Sequence, residues 1–169
     1  MNRRIWIPVA AAVALLGCFA EKPYPFANAN LGIQATFPGE PNQATYPEQT
    51  PFGKIEWHSF AFTPPGRLDI NFHIDVGNLP PGTKGGDTVP VALATYEAFL
   101  GQHLGGPIQR TDLPVSRGAG FHYTAPAFKN ARVEGVVILK RGRLHHAQAT
   151  VVKPNDPRVR TFLDSFAVN

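Results

Sequence analysis

Two short stretches carry side chains suited to holding a metal ion: Glu56 and His58 in the first, His73 and Asp75 in the second. Imidazole nitrogens and carboxylate oxygens together bind zinc, copper or manganese. A spacing of two residues puts each pair on one face of a β-strand, because side chains alternate between faces. An antiparallel hairpin with Ala61 facing Ile70 and Trp57 facing Ile74 brings the two apolar faces together. That register sets His58 beside His73 and Glu56 beside Asp75, about 5 Å apart. The competing expectation is a solvated sheet face, where polar residues belong without any ligand. A slip of one residue abolishes the metal set.

The other histidines are His103, His122, His145 and His146. His145 and His146 are adjacent, so on a strand they point to opposite faces and cannot chelate one ion together. One is expected at the surface and the other in the core. No H-E-x-x-H is present, and Ser59, Ser116 and Ser165 stand outside any G-x-S-x-G. Gly82-Thr83-Lys84-Gly85-Gly86 lacks phosphate-loop spacing and reads as a surface loop. The sequence therefore predicts no catalytic residue, no cofactor beyond a possible transition metal, and no enzyme activity.

Cys18 is the only cysteine, which excludes an internal disulfide. It follows a basic lead, Met1-Asn2-Arg3-Arg4, and a short apolar run over residues 5–16. This is the pattern of an export signal. A membrane-spanning helix needs ~20 apolar residues, more than this run supplies. Leu15-Leu16-Gly17-Cys18 resembles the bacterial lipobox, which implies cleavage before Cys18 and acylation of that cysteine. Each buried methylene contributes ~0.8 kcal/mol, so several chains anchor firmly where one does not. The alternative is an ordinary signal cut after Ala20, giving a soluble periplasmic or secreted protein. Phe19 stands where an aspartate favours inner-membrane retention in lipoproteins, so the resemblance implies an outer-membrane lipoprotein facing the periplasm.

Without residues 1–17, 152 of the 169 residues remain, enough for one domain with a real core. Loss of Arg3 and Arg4 leaves 14 of the 16 basic residues against 12 acidic ones, a net +2. That near balance, with basic residues scattered except at Lys140-Arg141-Gly142-Arg143, argues against a nucleic-acid partner. The expected partners are the membrane, through the lipid, and a protein.

The elements that position these residues follow from periodicity. Residues 19–30 contain two prolines and no period, and read with Cys18 as a tether over 18–30. Residues 32–37 alternate as a first strand. Strands over 54–62 and 68–76 form the hairpin above. The second strand alternates cleanly, with Leu68, Ile70, Phe72, Ile74 and Val76 inward and Asp69, Asn71, His73 and Asp75 outward. Residues 77–87 form a loop. Val89, Leu93, Tyr96 and Leu100 recur at helical spacing, so a helix spans 89–103, with Pro90 in its first turn. Strands follow at 108–113 and 120–124, and a hairpin at 132–140 and 144–152 turns through Arg141-Gly142. Asp156 caps a last helix with Pro157 at its first position. Short connections make the sheet mostly antiparallel, so the fold class is α+β.

Several motifs recur in order: Phe37-Pro38-Gly39-Glu40-Pro41, Thr50-Pro51-Phe52-Gly53, Asn78-Leu79-Pro80-Pro81-Gly82, Gly142-Arg143-Leu144 and Arg160-Thr161-Phe162-Leu163-Asp164-Ser165-Phe166. Together they resemble a broad group of uncharacterised bacterial exported proteins and lipoproteins. The fold of that group is similar to that of Mog1 and of PsbP, the photosystem extrinsic subunit. The resemblance spans residues 31–169 as a single domain and implies an α/β/α sandwich without a catalytic site. The group carries larger residues along its last strand, where this chain has His145-His146-Ala147-Gln148-Ala149. Either His145 takes the aromatic place or the site is more open.

Overall fold

A computed structural model of the chain describes residues 22–67, 69–82, 88–127, 131–153 and 155–169. Cys18, the signal over 1–17 and most of the glycine-rich loop at 83–87 lie outside the described residues. Among the described residues, ten strands and two α-helices run in the order β1 (Tyr24–Asn28), β2 (Ile33–Phe37), β3 (Asn42–Thr50), β4 (Gly53–Phe62), β5 (Asn71–Asn78), α1 (Thr88–His103), β6 (Gln109–Asp112), β7 (Ala119–Pro126), β8 (Arg132–Lys140), β9 (Arg143–Val151), α2 (Pro157–Ser165) and β10 (Ala167–Val168). A 3₁₀ turn, Val115–Arg117, precedes β7. Seven strands form one antiparallel sheet in the order β3-β4-β5-β9-β8-β7-β6, and β1-β2-β10 form a second, smaller sheet. The α+β expectation holds.

The large sheet is covered on both faces. On one, α2 and the small sheet bury Phe37, Phe162, Leu163 and Phe166 against Phe60, Phe72, Ile74 and Ile138. On the other, α1 lays Leu93, Tyr96 and Leu100 over Trp57, Phe121, Val137 and Leu144. The second helix forms as its sequence predicts: Asp156 Oδ1 accepts from Arg158 N at 3.0 Å, and Pro157 stands first. Such a cap stabilises a helix by about 1 kcal/mol.

Three sequence expectations are corrected, and one further strand appears. Residues 24–28, read as tether, form strand β1, because Phe26 packs on Phe37 and Phe60 with ring centroids 5.6 and 4.7 Å away. Pro25 is tolerated because β1 is an edge strand. Residues 42–50 form a further strand, β3, whose side chains are nearly all exposed, so no alternation marks it. The strand expected over 68–76 begins only at Asn71, after a turn in which Ile70 N donates to Arg67 O. Lastly, the face carrying His73 and Asp75 is not simply wet, since α1 covers part of it and Asp75 is only 7 % exposed.

The edge strand β3 has a defined polarity. A two-residue loop, Pro51-Phe52, joins Thr50 to its partner Gly53. In such a hairpin the closing pair is hydrogen-bonded, so alternate residues 43, 45, 47 and 49 aim their backbone groups away from β4. Pro47 falls in that outward set, where its missing N–H costs the ladder nothing.

Candidate functional site

The register of β4 against β5 decides the fate of the expected metal set. Phe60 faces Ile74, Ala61 faces His73 and His58 faces Val76. This is three residues away from the expected register. His58 therefore shares the small-sheet face with Phe60, and Glu56 lies on that same face, opposite Pro47. His73 and Asp75 lie on the α1 face with Trp57. The four residues do not converge. His58 Nδ1 lies instead 3.4 Å from Thr45 Oγ1. Among the described residues no group of three or more His, Cys, Asp or Glu is placed to hold a metal ion.

The structure gathers a different set around Asp75 and His146, which face each other across β5 and β9. Tyr96 reaches down from α1, and its hydroxyl lies 3.2 Å from His146 Nδ1. Tyr123, on β7, reaches across β8 to place its hydroxyl 2.8 Å from His146 Nε2. It can do so because Gly135 faces it: a Cβ at 135 would stand 2.5 Å from Tyr123 Cε1. The Tyr123 hydroxyl donates to Gln148 Oε1 at 2.6 Å. His146 Nε2–H then donates to Tyr123, and Tyr96 donates to the bare Nδ1, so the chain of hydrogen bonds runs one way.

Burial, with a smaller contribution from neighbouring His73, lowers the His146 pKa to about 3, so its ring is neutral. Burial also holds the Tyr123 and Tyr96 hydroxyls well above their ordinary values, reinforced by the charge on Asp75. At the open end of the cluster, an acceptor oxygen faces each nitrogen of His73. Asn71 Oδ1 lies 3.0 Å from Nδ1 and Asp75 Oδ2 3.4 Å from Nε2. Asp75 Oδ1 is buried and has no hydrogen-bond partner among the described residues. Tyr46 of β3 leans over this carboxylate. Burial first, then Asp75 and Glu48, raise its hydroxyl far above the usual range, although 39 % of the residue is open to solvent. Glu48 accepts from Trp57 Nε1 at 2.8 Å and lies 3.4 Å from His103.

The remaining histidines are dispersed. His145 and His146 do take opposite faces, yet both are buried, at 2 % and 4 %, because both faces are covered. His145 packs toward the small sheet, where burial lowers its pKa to about 4. His122 lines a separate recess with Glu134, Asp156 and Arg160. His103 ends α1 and packs on Phe99 in a tilted arrangement with centroids 4.2 Å apart.

The tyrosines of the cluster escape a reading by residue type, since Tyr96 and Tyr123 sit at ordinary core positions of a helix and a strand. Their one signal is chemical. A buried phenol needs a hydrogen-bond partner, and His146 and Gln148 lie two apart on one strand face. The cluster orders and fixes side chains, and it engages both ring nitrogens of His146.

No helix among the described residues is long and apolar enough to cross a membrane. No protein-family model matches the chain, and no curated protein matches it. Its fold is similar to the solution structure of cyanobacterial PsbP (CyanoP) from Synechocystis sp. PCC 6803. That likeness has a TM-score of 0.50 and 12 % identity, and covers 90 % of this chain and 96 % of the other. At that identity the likeness is one of fold, and the chain has a PsbP-like α+β architecture.

Proposed function

We propose that this is a non-enzymatic accessory protein of the bacterial cell envelope, lipid-anchored through Cys18, which binds a protein partner or supports an assembly. The observation that carries the non-catalytic part is the buried cluster: both ring nitrogens of His146 face partners within the fold. Reactive groups spent on one another hold strands and helix in place and do not converge on a substrate. The anchoring part rests on Leu15-Leu16-Gly17-Cys18 behind its apolar run. Phe19 directs the anchored form to the outer membrane, facing the periplasm. The PsbP-like fold is in keeping with an accessory role. The working surface is β3 with the adjoining His73 and Asn71, a polar face that α1 leaves open and that Tyr46 borders. The metal-carrier alternative loses its support once Glu56 and His58 lie on the other face from His73 and Asp75.

Intact-mass analysis of protein extracted from membranes tests the anchor. The expected species begins at Cys18 with acyl chains attached, and Cys18→Ser releases the protein to the soluble fraction. An unacylated form beginning at Glu21 overturns the anchor. A photo-crosslinking residue at position 44 on β3, which shares the face of Tyr46 and His73, is compared with one at 161 on α2 to test the surface. A discrete adduct at 44 alone is expected, and equal or absent labelling at both refutes the assignment.

A further inference from the structure

The β8–β9 turn, the β1–β2 turn and β10 enclose a cavity of about 380 Å³. Lys140, Arg141, Arg143 and the buried His145 line it together with Asn169, and no aspartate or glutamate side chain does. Neutral oxygens hold two of its cations. Lys140 Nζ donates to Val168 O at 3.0 Å, and Arg143 donates to Asn78 Oδ1 at 3.1 Å and Asn30 O at 3.2 Å. Such acceptors orient a cation without neutralising it. Arg141 occupies the left-handed turn position, φ 53°, and projects into solvent at the rim. The ion pairs among the described residues all involve other side chains, so none of these three cations has a carboxylate within pairing distance. Three side-chain cations against the one α-carboxylate of Asn169 leave the concavity net positive, which raises the local potential and draws anions to it.

We propose that this cavity binds a phosphoryl group carried on an organic moiety. Two guanidinium forks and an ammonium match the several oxygens of a phosphate better than the two of a carboxylate. The volume falls in the ~300–1,000 Å³ range of small-molecule pockets, which leaves room for a substituent on the phosphate. The phosphoryl group belongs either to a soluble ester or to a phospholipid headgroup. The inference is independent of the lipid on Cys18.

The test uses the full mature chain with Cys18→Ser, so that no acyl chain contributes. One arm titrates glycerol 3-phosphate and follows backbone amide resonances. The other sediments the protein with phosphatidylglycerol vesicles, against phosphatidylcholine vesicles as baseline. Shifts confined to residues 29–32 and 140–145, weakened at least five-fold by Arg141→Gln and unchanged by Arg160→Gln, support the proposal with a soluble source. Sedimentation with the anionic vesicles alone, lost in Arg141→Gln and in Lys140→Gln, supports it with a headgroup source. Binding in neither arm, or binding that both cavity variants leave intact, overturns it. Trp57 fluorescence verifies that each variant is folded, because that side chain is 1 % exposed in the native protein.

Discussion

The ring of Tyr123 passes over Gly135, its cross-strand partner, and so carries its hydroxyl across β8 to His146 and Gln148 on β9. A glycine in the middle of a strand weakens it, and here the absent side chain is what opens a path for the phenol.

Gly135→Ala is expected to destabilise the protein by about 2–4 kcal/mol, combining overpacking with the loss of buried hydrogen bonds. The added Cβ would stand 2.5 Å from the Tyr123 ring, which must move off His146. Urea unfolding followed by Trp57 fluorescence measures this. A cost below about 1 kcal/mol means that the ring shifts without losing its partners.

Tyr123→Phe keeps the ring and removes the hydroxyl. It leaves the buried Nε2–H of His146 and the Gln148 oxygen short of a partner, at a cost of about 1–3 kcal/mol. In the double variant with Gly135→Ala the two costs are expected to sum to less than their separate values, because both act through one hydroxyl. Strict additivity in the same urea experiment contradicts the shared path.

Acid destabilises the fold through His145 and His146. Their folded pKa values, about 4 and about 3, lie below the ordinary value of 6.5, so the unfolded chain takes up protons first. The stability contributed by the neutral rings is complete above pH ~6.5 and falls by about 1.4 kcal/mol per pH unit per histidine toward those lower values. Between pH 7.5 and pH 5 each ring is expected to account for about 2 kcal/mol. His145→Phe should remove the share of one ring, about 2 kcal/mol, beside those of His146 and of His122, whose pKa burial also lowers; an unchanged slope means that His145 remains hydrated.

Pro47 guards the free edge of the large sheet. With Pro47→Thr the outward backbone of β3 presents an unbroken row of donors and acceptors from 43 to 49. Exposed edges of that kind pair with other chains. Sedimentation at rising concentration should show the native protein unchanged and the variant self-associating. A monomeric variant shows that the exposed polar side chains alone protect the edge.

Much of the architecture was legible. Both helices, the two-residue turn at Arg141-Gly142 and the cap at Asp156 follow from spacing and turn chemistry that local physics enforces. The register of β4 was not. Its large apolar residues change parity along the strand: Ile55 and Trp57 face α1, while Phe60 and Phe62 face the small sheet. A strand covered on both sides offers two apolar faces, and matching Trp57 with Ile74 joined opposite ones. The metal set fell with that match. The strand β3 was invisible for the converse reason, being apolar on neither face. The Tyr96–His146–Tyr123 chain links residues 50 and 23 positions apart, which no local pattern encodes.

The small sheet joins distant parts of the chain, since β10 pairs with β2 through Ala167–Gln34 and Val168–Ile33. The flank of β2 away from β1 is therefore sealed by a strand far along the chain, and removal of Ala167 and Val168 would bare it as an unpaired sheet edge.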